Sequence, residues 1–241
     1  MVYVADLDDP APDARDAHHL ARVLRLRPGE PVVAGDGRGR WRLCRFRAPP
    51  GDGVAVLEPD GPLTSVPRAA PLITVGFVPV KGERPEWVVQ KLTEVGVDRV
   101  VVLRSARAVV HWEGERARRA IERLRRVARE AAGQSRAPWL PELEGVLDLG
   151  TLAAALAPVP LVLAHPGGDP PSVTMPALAV GPEGGWDDAE LGSGGRPVVG
   201  LGPGILRAET AAVAGGLLLC ALRNGLVTEA GGPVPSAGPA A

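Results

Sequence analysis

AVGPEGGWDDAEL, residues 179–191, and VVGLGPGILRAETAAVAGGLLL, residues 198–219, each set a Gly-Pro loop between a short apolar run and a helix-like segment. Glycine supplies positive φ and proline fixes its own φ near about −65°, so either loop alone is an ordinary turn. Together they place Gly181 and Gly202 beyond the carboxyl ends of two strands, where ligands sit in an open parallel sheet. Such loops expose backbone N–H and C=O groups and suit a flat, hydrogen-bonding ligand such as a purine. No G-x-x-x-x-G-K-[ST] and no strand-borne G-x-G-x-x-G is present, which disfavours a P-loop or a dinucleotide fingerprint. In a chain with 31 Gly and 26 Pro, two unconnected tight turns stand as the alternative.

Working outward, PLVLAH, ALAVG and PVVGL read as strands, DDAEL as a short helix, and ILRAETAAVAGGLLLCALRNG as a helix apolar on most sides. A helix of that kind must be covered, and a second subunit is one candidate. Upstream, LITVGFV and RVVVL read as buried strands and RPEWVVQKLTEVGV as a helix with Pro85 in its first turn. EGERARRAIERLRRVAREAAGQS is a long helix with a stripe through Ile121, Leu124, Val127, Ala128 and Ala131. Alternating strands and helices predict a mainly parallel α/β sheet. DGPLTSVPRAAP makes a linker between about 60 and 71. Before it, a short helix with a stripe of His18, Leu20, Val23 and Leu24 precedes the β-like runs PVVAG, RWRLCRF and GVAVLEP. In the second run Trp41, Leu43 and Phe46 are expected inward, and Arg40, Arg42, Arg45 and Arg47 outward. The tail EAGGPVPSAGPAA has no periodicity and is expected to be disordered.

With 45% hydrophobic but only 3% aromatic residues in 241, the core must be built from Val, Leu and Ala. Neither an apolar run of about 18 residues nor a signal-like start is present, so the expectation is a soluble, cytoplasmic protein without a membrane partner. Cys44 and Cys220 lie far apart without a C-x-x-C, and the four histidines lack ligand spacing, so buried thiols are expected and no metal. The net charge of −1 conceals a polarised chain. Residues 15–47 carry nine Arg against three acids, residues 104–136 ten Arg against four, and everything from 137 onward three Arg against ten. Two basic blocks on a neutral chain fit either a polyanion partner or solvated arginine faces.

The stretches AVGPEGG and LGPGILRAETAAVAG closely resemble the cofactor-binding motifs of the 16S ribosomal RNA (uracil-N3)-methyltransferases, the RsmE-type branch of the SPOUT class. HHLARVLRLRPGE, KGERPEWVVQKLTEVGV, AREAAGQS and LAHP resemble further motifs of that family in the same order, over most of residues 15–225. The resemblance implies a PUA-like β-barrel RNA-binding domain over 1–66 and a SPOUT methyltransferase domain with a C-terminal trefoil knot over 70–227, followed by a disordered tail over 228–241. It implies a homodimer that binds S-adenosyl-L-methionine within the knot and methylates N3 of a uridine in 16S rRNA of the small ribosomal subunit. A non-catalytic RNA-binding or ribosome-assembly protein of the same fold, and a SPOUT enzyme acting on another RNA, are the competing functions.

Carried onto this chain, the cofactor-binding residues are Leu163, His165, Val180, Gly181, Pro182, Glu183, Gly184, Gly185, Leu201, Gly202, Ile205, Leu206 and Thr210. The uridine N3 must lose a proton, so Arg207 is expected to stabilise the developing charge or a neighbouring phosphate and Glu209 or Glu183 to orient or accept the proton, with a carboxylate favoured by the helix dipole as the alternative for Glu209. Arg22, Arg25, Arg40, Arg42, Lys81, Arg104, Arg107, Gln134 and Arg136 are the expected RNA contacts. The chain departs from the family pattern at Ala106 and Gly133, where Glu is usual, at Gly204, where Arg is usual, and by lacking a Gly after Ser135.

Overall fold

The structure, a computed structural model, describes residues 1–47, 56–192 and 195–229. It divides into two compact units, Met1–Ala69 with Arg129–Leu140, and Ala70–Ala128 with Pro141–Ala241. The first part of the GVAVLEP run and nearly all of the expected tail lie outside the described residues.

In the first unit, β1 (Val2–Tyr3) pairs in parallel with β2 (Pro31–Gly35), and β3 (Arg40–Arg47) pairs antiparallel with β2 and with β4 (Val56–Pro59). The expected linker is not featureless: β5 (Thr64–Ser65) within it pairs with the start of β3. Cys44 and Phe46 face the core with Val2, Val32 and Leu57. Because side chains alternate along a strand, residue 42 shares their face. This corrects the outward placement of Arg42. Its side chain is 16% exposed, and its guanidinium turns inward to donate to the Leu7 carbonyl at 3.1 Å and the Gly61 carbonyl at 2.8 Å.

Helix α1 (Ala14–His18) is capped by Asp13, which accepts from the N–H groups of Arg15 and Asp16, and runs on into a π-helical turn, His19–Val23. There the Leu24 N–H reaches the His19 carbonyl, a five-residue step that rotates the following positions away from the expected stripe. Ala17 and Leu20 are buried, whereas Val23 and Leu24 are exposed. The last turns of α3 (Gly114–Ser135) belong to this unit. Arg129 donates to the Tyr3 carbonyl at 2.7 Å, and the N-terminal amine donates to the Gly133 carbonyl at 3.0 Å. A Cβ on Gly133 would lie 2.8 Å from the Met1 carbonyl oxygen. That close approach leaves no room for the Glu that the resemblance leads one to expect there.

The second unit holds six strands in the order β11-β9-β10-β6-β7-β8, every pairing parallel. These are β6 (Thr74–Phe77), β7 (Arg99–Leu103), β8 (Glu142–Leu147), β9 (Leu161–Asp169), β10 (Ala177–Val180) and β11 (Val198–Val199). Alternate residues serve opposite faces. Val75, Phe77, Val100, Val102 and Leu178 pack beneath α2 (Arg84–Glu94) and α6 (Ala208–Arg223), while Val101, Leu103, Leu163 and Ala179 pack with Leu152 of α4 (Leu149–Leu156). Burial on both sides is why these strands read as unbroken apolar runs. Edge strand β8 and the helix α4 after it were not legible in sequence, because β8 interleaves Glu142, Glu144 and Gly145 with its apolar residues.

After β9 the chain returns to insert β10 between β9 and β6, then crosses back over β9 to form β11. It doubles back over its own strands, as the knotted fold class expected above demands. A short helix α5 (Asp188–Gly192) follows β10. Helix α6 begins at Ala208 rather than at Ile205: Arg207 is its extended N-cap residue, at φ −64° and ψ 151°. Ile205, Leu206 and Arg207 are thereby left in the loop.

Candidate functional site

Strand order places the end of β9 between the loops that follow β10 and β11. The three carboxyl ends enclose a cavity of about 870 Å³, within the range of small-molecule sites. Its walls are residues 164–166 of β9, just past its pairing with β10, residues 180–186 from the last position of β10 onward, and residues 201–208 except Pro203 after β11, with Arg84 and Arg107 at its edge. The two Gly-Pro stretches thus form opposing walls of a single cavity.

The glycines have distinct reasons. Gly185 at φ +72° and Gly202 at φ +143° hold backbone conformations that other residues rarely adopt. At Gly181 a Cβ would stand 3.0 Å from Cε2 of Trp186, which is buried beneath the loop with its indole N–H donating to the Ala164 carbonyl at 3.1 Å. The 201–206 loop has a further property. Among the described residues, the N–H groups of Leu201, Gly202, Gly204, Ile205 and Leu206 make no hydrogen bond. A run of unused donors beside an apolar floor of Val180, Ala208 and Ala211 is what a planar heterocycle with ring-nitrogen acceptors requires.

Of the expected cofactor residues, His165, Val180, Gly181, Pro182, Glu183, Gly184, Gly185, Leu201, Gly202, Ile205 and Leu206 line the cavity. Leu163 and Thr210 do not. Leu163 sits inside the sheet, paired with Ala179 on one side and Val198 on the other, and is fully buried. On α6 the cavity-facing positions are Ala208 and Ala211, which turns Thr210 to the exposed side.

Arg207 lines the cavity and forms no ion pair among the described residues. Glu209 is set behind the wall: its side chain is 11% exposed, and its Oε1 lies 3.5 Å from Nη1 of Arg84. Its buried Oε2 has no hydrogen-bond partner among the described residues. The same Arg84 nitrogen donates to Oε1 of Glu183 at 3.0 Å, so one guanidinium ties the post-β10 loop to the first turn of α6. Sequence reasoning missed Arg84 and Trp186, although both stand inside quoted motifs, KGERPEW and GPEGGW.

The expected RNA contacts fall into two sets. In the second unit Arg107 joins the cavity itself, its Nη2 3.5 Å from Asp187; Arg104 lies 3.6 Å from Asp148, and Lys81 lines a neighbouring cleft. In the first unit Arg22 and Arg25 are exposed after α1, Arg40 is paired with Asp36 at 2.8 Å, and Arg42 is held inward as described. Gln134 and Arg136 are exposed at the end of α3. Among the described residues no group of His, Cys, Asp and Glu could hold a metal, and no helix is long and apolar enough to cross a membrane.

Residues 68–218 match a family model described as an RNA methyltransferase domain, and residues 12–58 one described as an RNA methyltransferase PUA domain. The chain is 34% identical over 233 residues to the ribosomal RNA small subunit methyltransferase E of Mycobacterium bovis, covering 88% of this chain and 87% of that protein. It is 28% identical to the protein of the same name from Bacillus subtilis over 218 residues, covering 81% and 83%. Among solved structures, it is similar to a ribosomal RNA small subunit methyltransferase E from Neisseria gonorrhoeae bound to S-adenosyl methionine. That match has a TM-score of 0.76 and 26% identity, covering 91% of this chain and 96% of the other.

Proposed function

Because the chain belongs to the ribosomal RNA small subunit methyltransferase E family, we propose that it uses S-adenosylmethionine to methylate N3 of one uridine in the 16S RNA of the small ribosomal subunit. RNA methyltransferase activity follows from the family; the choice of uracil N3 is our reading. One observation carries the assignment of the site: the two Gly-Pro loops wall one cavity, and the 201–206 loop that lines it has five N–H groups making no hydrogen bond among the described residues.

The cofactor fits this cavity by volume and by donor set. The free N–H groups of the 201–206 loop would meet the acceptor edge of its adenine, while Val180, Ala208 and Ala211 would pack against the ring. When bound it supplies an electrophilic methyl group. The protein must hold the acceptor nitrogen within about 3–3.5 Å of that methyl, a positioning effect worth several kcal/mol of barrier. It must also take the N3 proton and tolerate negative charge on the ring. Arg207, at the cavity and without a carboxylate partner, is placed to stabilise that charge. Glu183, on the cavity wall, is the proton acceptor in this reading. Glu209 and Arg84 act one step removed: the guanidinium bridge holds Glu183 and the first turn of α6 in register. A second copy of the chain is the proposed cover for the exposed Leu217 of α6 and for Ile205, which is 90% exposed at the cavity mouth.

The test is transfer of labelled methyl from S-adenosylmethionine to small subunits lacking uridine N3 methylation, with mass mapping of the product. Label at a single N3-methyluridine, lost by Arg207→Ala with cofactor affinity intact, is the expected result. Label at another atom or in another RNA overturns the N3 assignment. Near-normal turnover in Arg207→Ala removes Arg207 from the mechanism.

A further inference from the structure

We propose that the RNA strand flanking the target base leaves the methyl-transfer cavity through a narrow passage and runs along a basic cleft on α3, where Lys81, Arg116 and Arg126 hold its phosphates. The proposal rests on the RNA methyltransferase reading above and extends it from Lys81, an expected RNA contact, to Arg116 and Arg126, which were not expected. Three cavities of the second unit share wall residues, one with the next. A passage of about 230 Å³ shares Arg84, Pro182 and Glu183 with the large cavity, and it shares Val80, Lys81 and Val110 with a further cleft of about 680 Å³. That cleft is lined by Arg116, Arg119, Arg123 and Arg126 of α3.

The arginines recur at steps of three, four and three, so they form one stripe along the helix, about 15 Å long at 1.5 Å per residue. Two of the four are neutralised: Arg123 by Glu86 at 2.5 Å, and Arg119 by Glu115 at 3.3 Å, a carboxylate it shares with Arg118. Arg116, Arg126 and Lys81 form no ion pair among the described residues. Three cations without an acidic partner among the described residues, lining one cleft that shares wall residues through a smaller pocket with the large cavity, suit the repeating charge of a single strand. A target base reaching the cavity must be unstacked, and a cleft that grips the neighbouring phosphates offsets the few kcal/mol this costs.

The experiment is fluorescence anisotropy of a labelled oligouridylate of about twelve nucleotides on the full chain, titrated across roughly 50 to 300 mM salt. Each single-strand phosphate contact contributes about 0.7 to the slope of log affinity against log salt. Arg116→Gln with Arg126→Gln is therefore expected to flatten the slope by about 1.4, which at roughly 0.1 M salt weakens binding by about 25-fold. Arg116→Lys with Arg126→Lys is expected to keep the slope, because phosphate contacts count charge rather than fork geometry. A melting midpoint equal to wild type in both pairs excludes unfolding as the cause.

A wild-type chain that does not bind the strand, or a Gln pair with unchanged slope, overturns the proposal. So does competition by polyglutamate as effective as by RNA, which would make the cleft a site for acidic protein. Labelled methyl in RNA together with an unchanged slope removes the cleft and leaves the enzymatic reading. The predicted loss of slope in a chain that labels no RNA supports the cleft and removes that reading.

Discussion

Helix propensity and packing give opposite signs for replacing Gly215 and Gly216 by alanine, and packing is expected to win. In the middle of a helix each glycine costs about 1 kcal/mol relative to alanine, so propensity alone predicts that both changes stabilise α6. The structure argues otherwise. A Cβ on Gly215 would lie 2.2 Å from Cδ2 of Leu178, and one on Gly216 would lie 2.5 Å from Cδ2 of Leu92 and 3.1 Å from Cγ2 of Val97. Carbon atoms pack at about 3.5–4.0 Å, so each new methyl is about 1 Å or more too close. Leu178 and Leu92 are buried in the core beneath α6, where close packing limits how far their side-chain ends can move. Overpacking of this kind costs about 1–3 kcal/mol, which after the propensity gain leaves a net loss of about 1 kcal/mol for each variant. The two positions are adjacent on one helix, so one shift of the helix can relieve both clashes, and the double variant should lose about 1–2 kcal/mol and melt roughly 2–8 °C lower. Thermal and urea melts followed by circular dichroism give the comparison. Since Ala208 and Ala211 of α6 line the large cavity, lifting the helix should also weaken S-adenosylmethionine binding in calorimetry. A gain in stability for either single variant would refute the packing argument.

Two departures from the family pattern should behave in opposite ways when reverted. Gly133→Glu drives a Cβ into the Met1 carbonyl and should lower stability by about 1–3 kcal/mol in urea melts, whereas an unchanged midpoint would contradict the close approach. Gly204→Arg meets nothing within 4 Å and should change stability by less than about 0.5 kcal/mol, read from the same melts. Burial pushes the Cys220 thiol up to about 11, so at pH 8 only about one molecule in a thousand carries the thiolate. Native protein should therefore resist alkylation at Cys220 and become reactive on unfolding, whereas rapid labelling of the folded chain at pH 8 would show that the thiol is open to solvent.

Local pattern settled a good part of this molecule. Near-continuous Val and Leu runs identified β6, β7 and β10, because strands buried on both faces carry their environment in their composition. The Gly-Pro loops identified the cavity, because backbone that approaches a ligand closely must be glycine-rich wherever it occurs. What sequence spacing did not carry was anything set by a distant partner. Arg42 reads as an outward arginine until Leu7 and Gly61 supply the carbonyls that draw it in. Gly133 reads only as a departure from the expected Glu until the N-terminus is found against it.

Likewise Glu209 sits in a motif beside Arg207, yet only the folded chain sets it behind the cavity wall. Arg84, more than a hundred residues earlier, joins it there to Glu183. The basic cleft is a further case, since a run of arginines on α3 comes beside Lys81 and the small pocket next to it only in the folded chain. Period and composition record how each segment meets its own nearest environment. Which remote segment supplies that environment is decided by the order of strands in the sheet, and that order is a property of the tertiary structure alone.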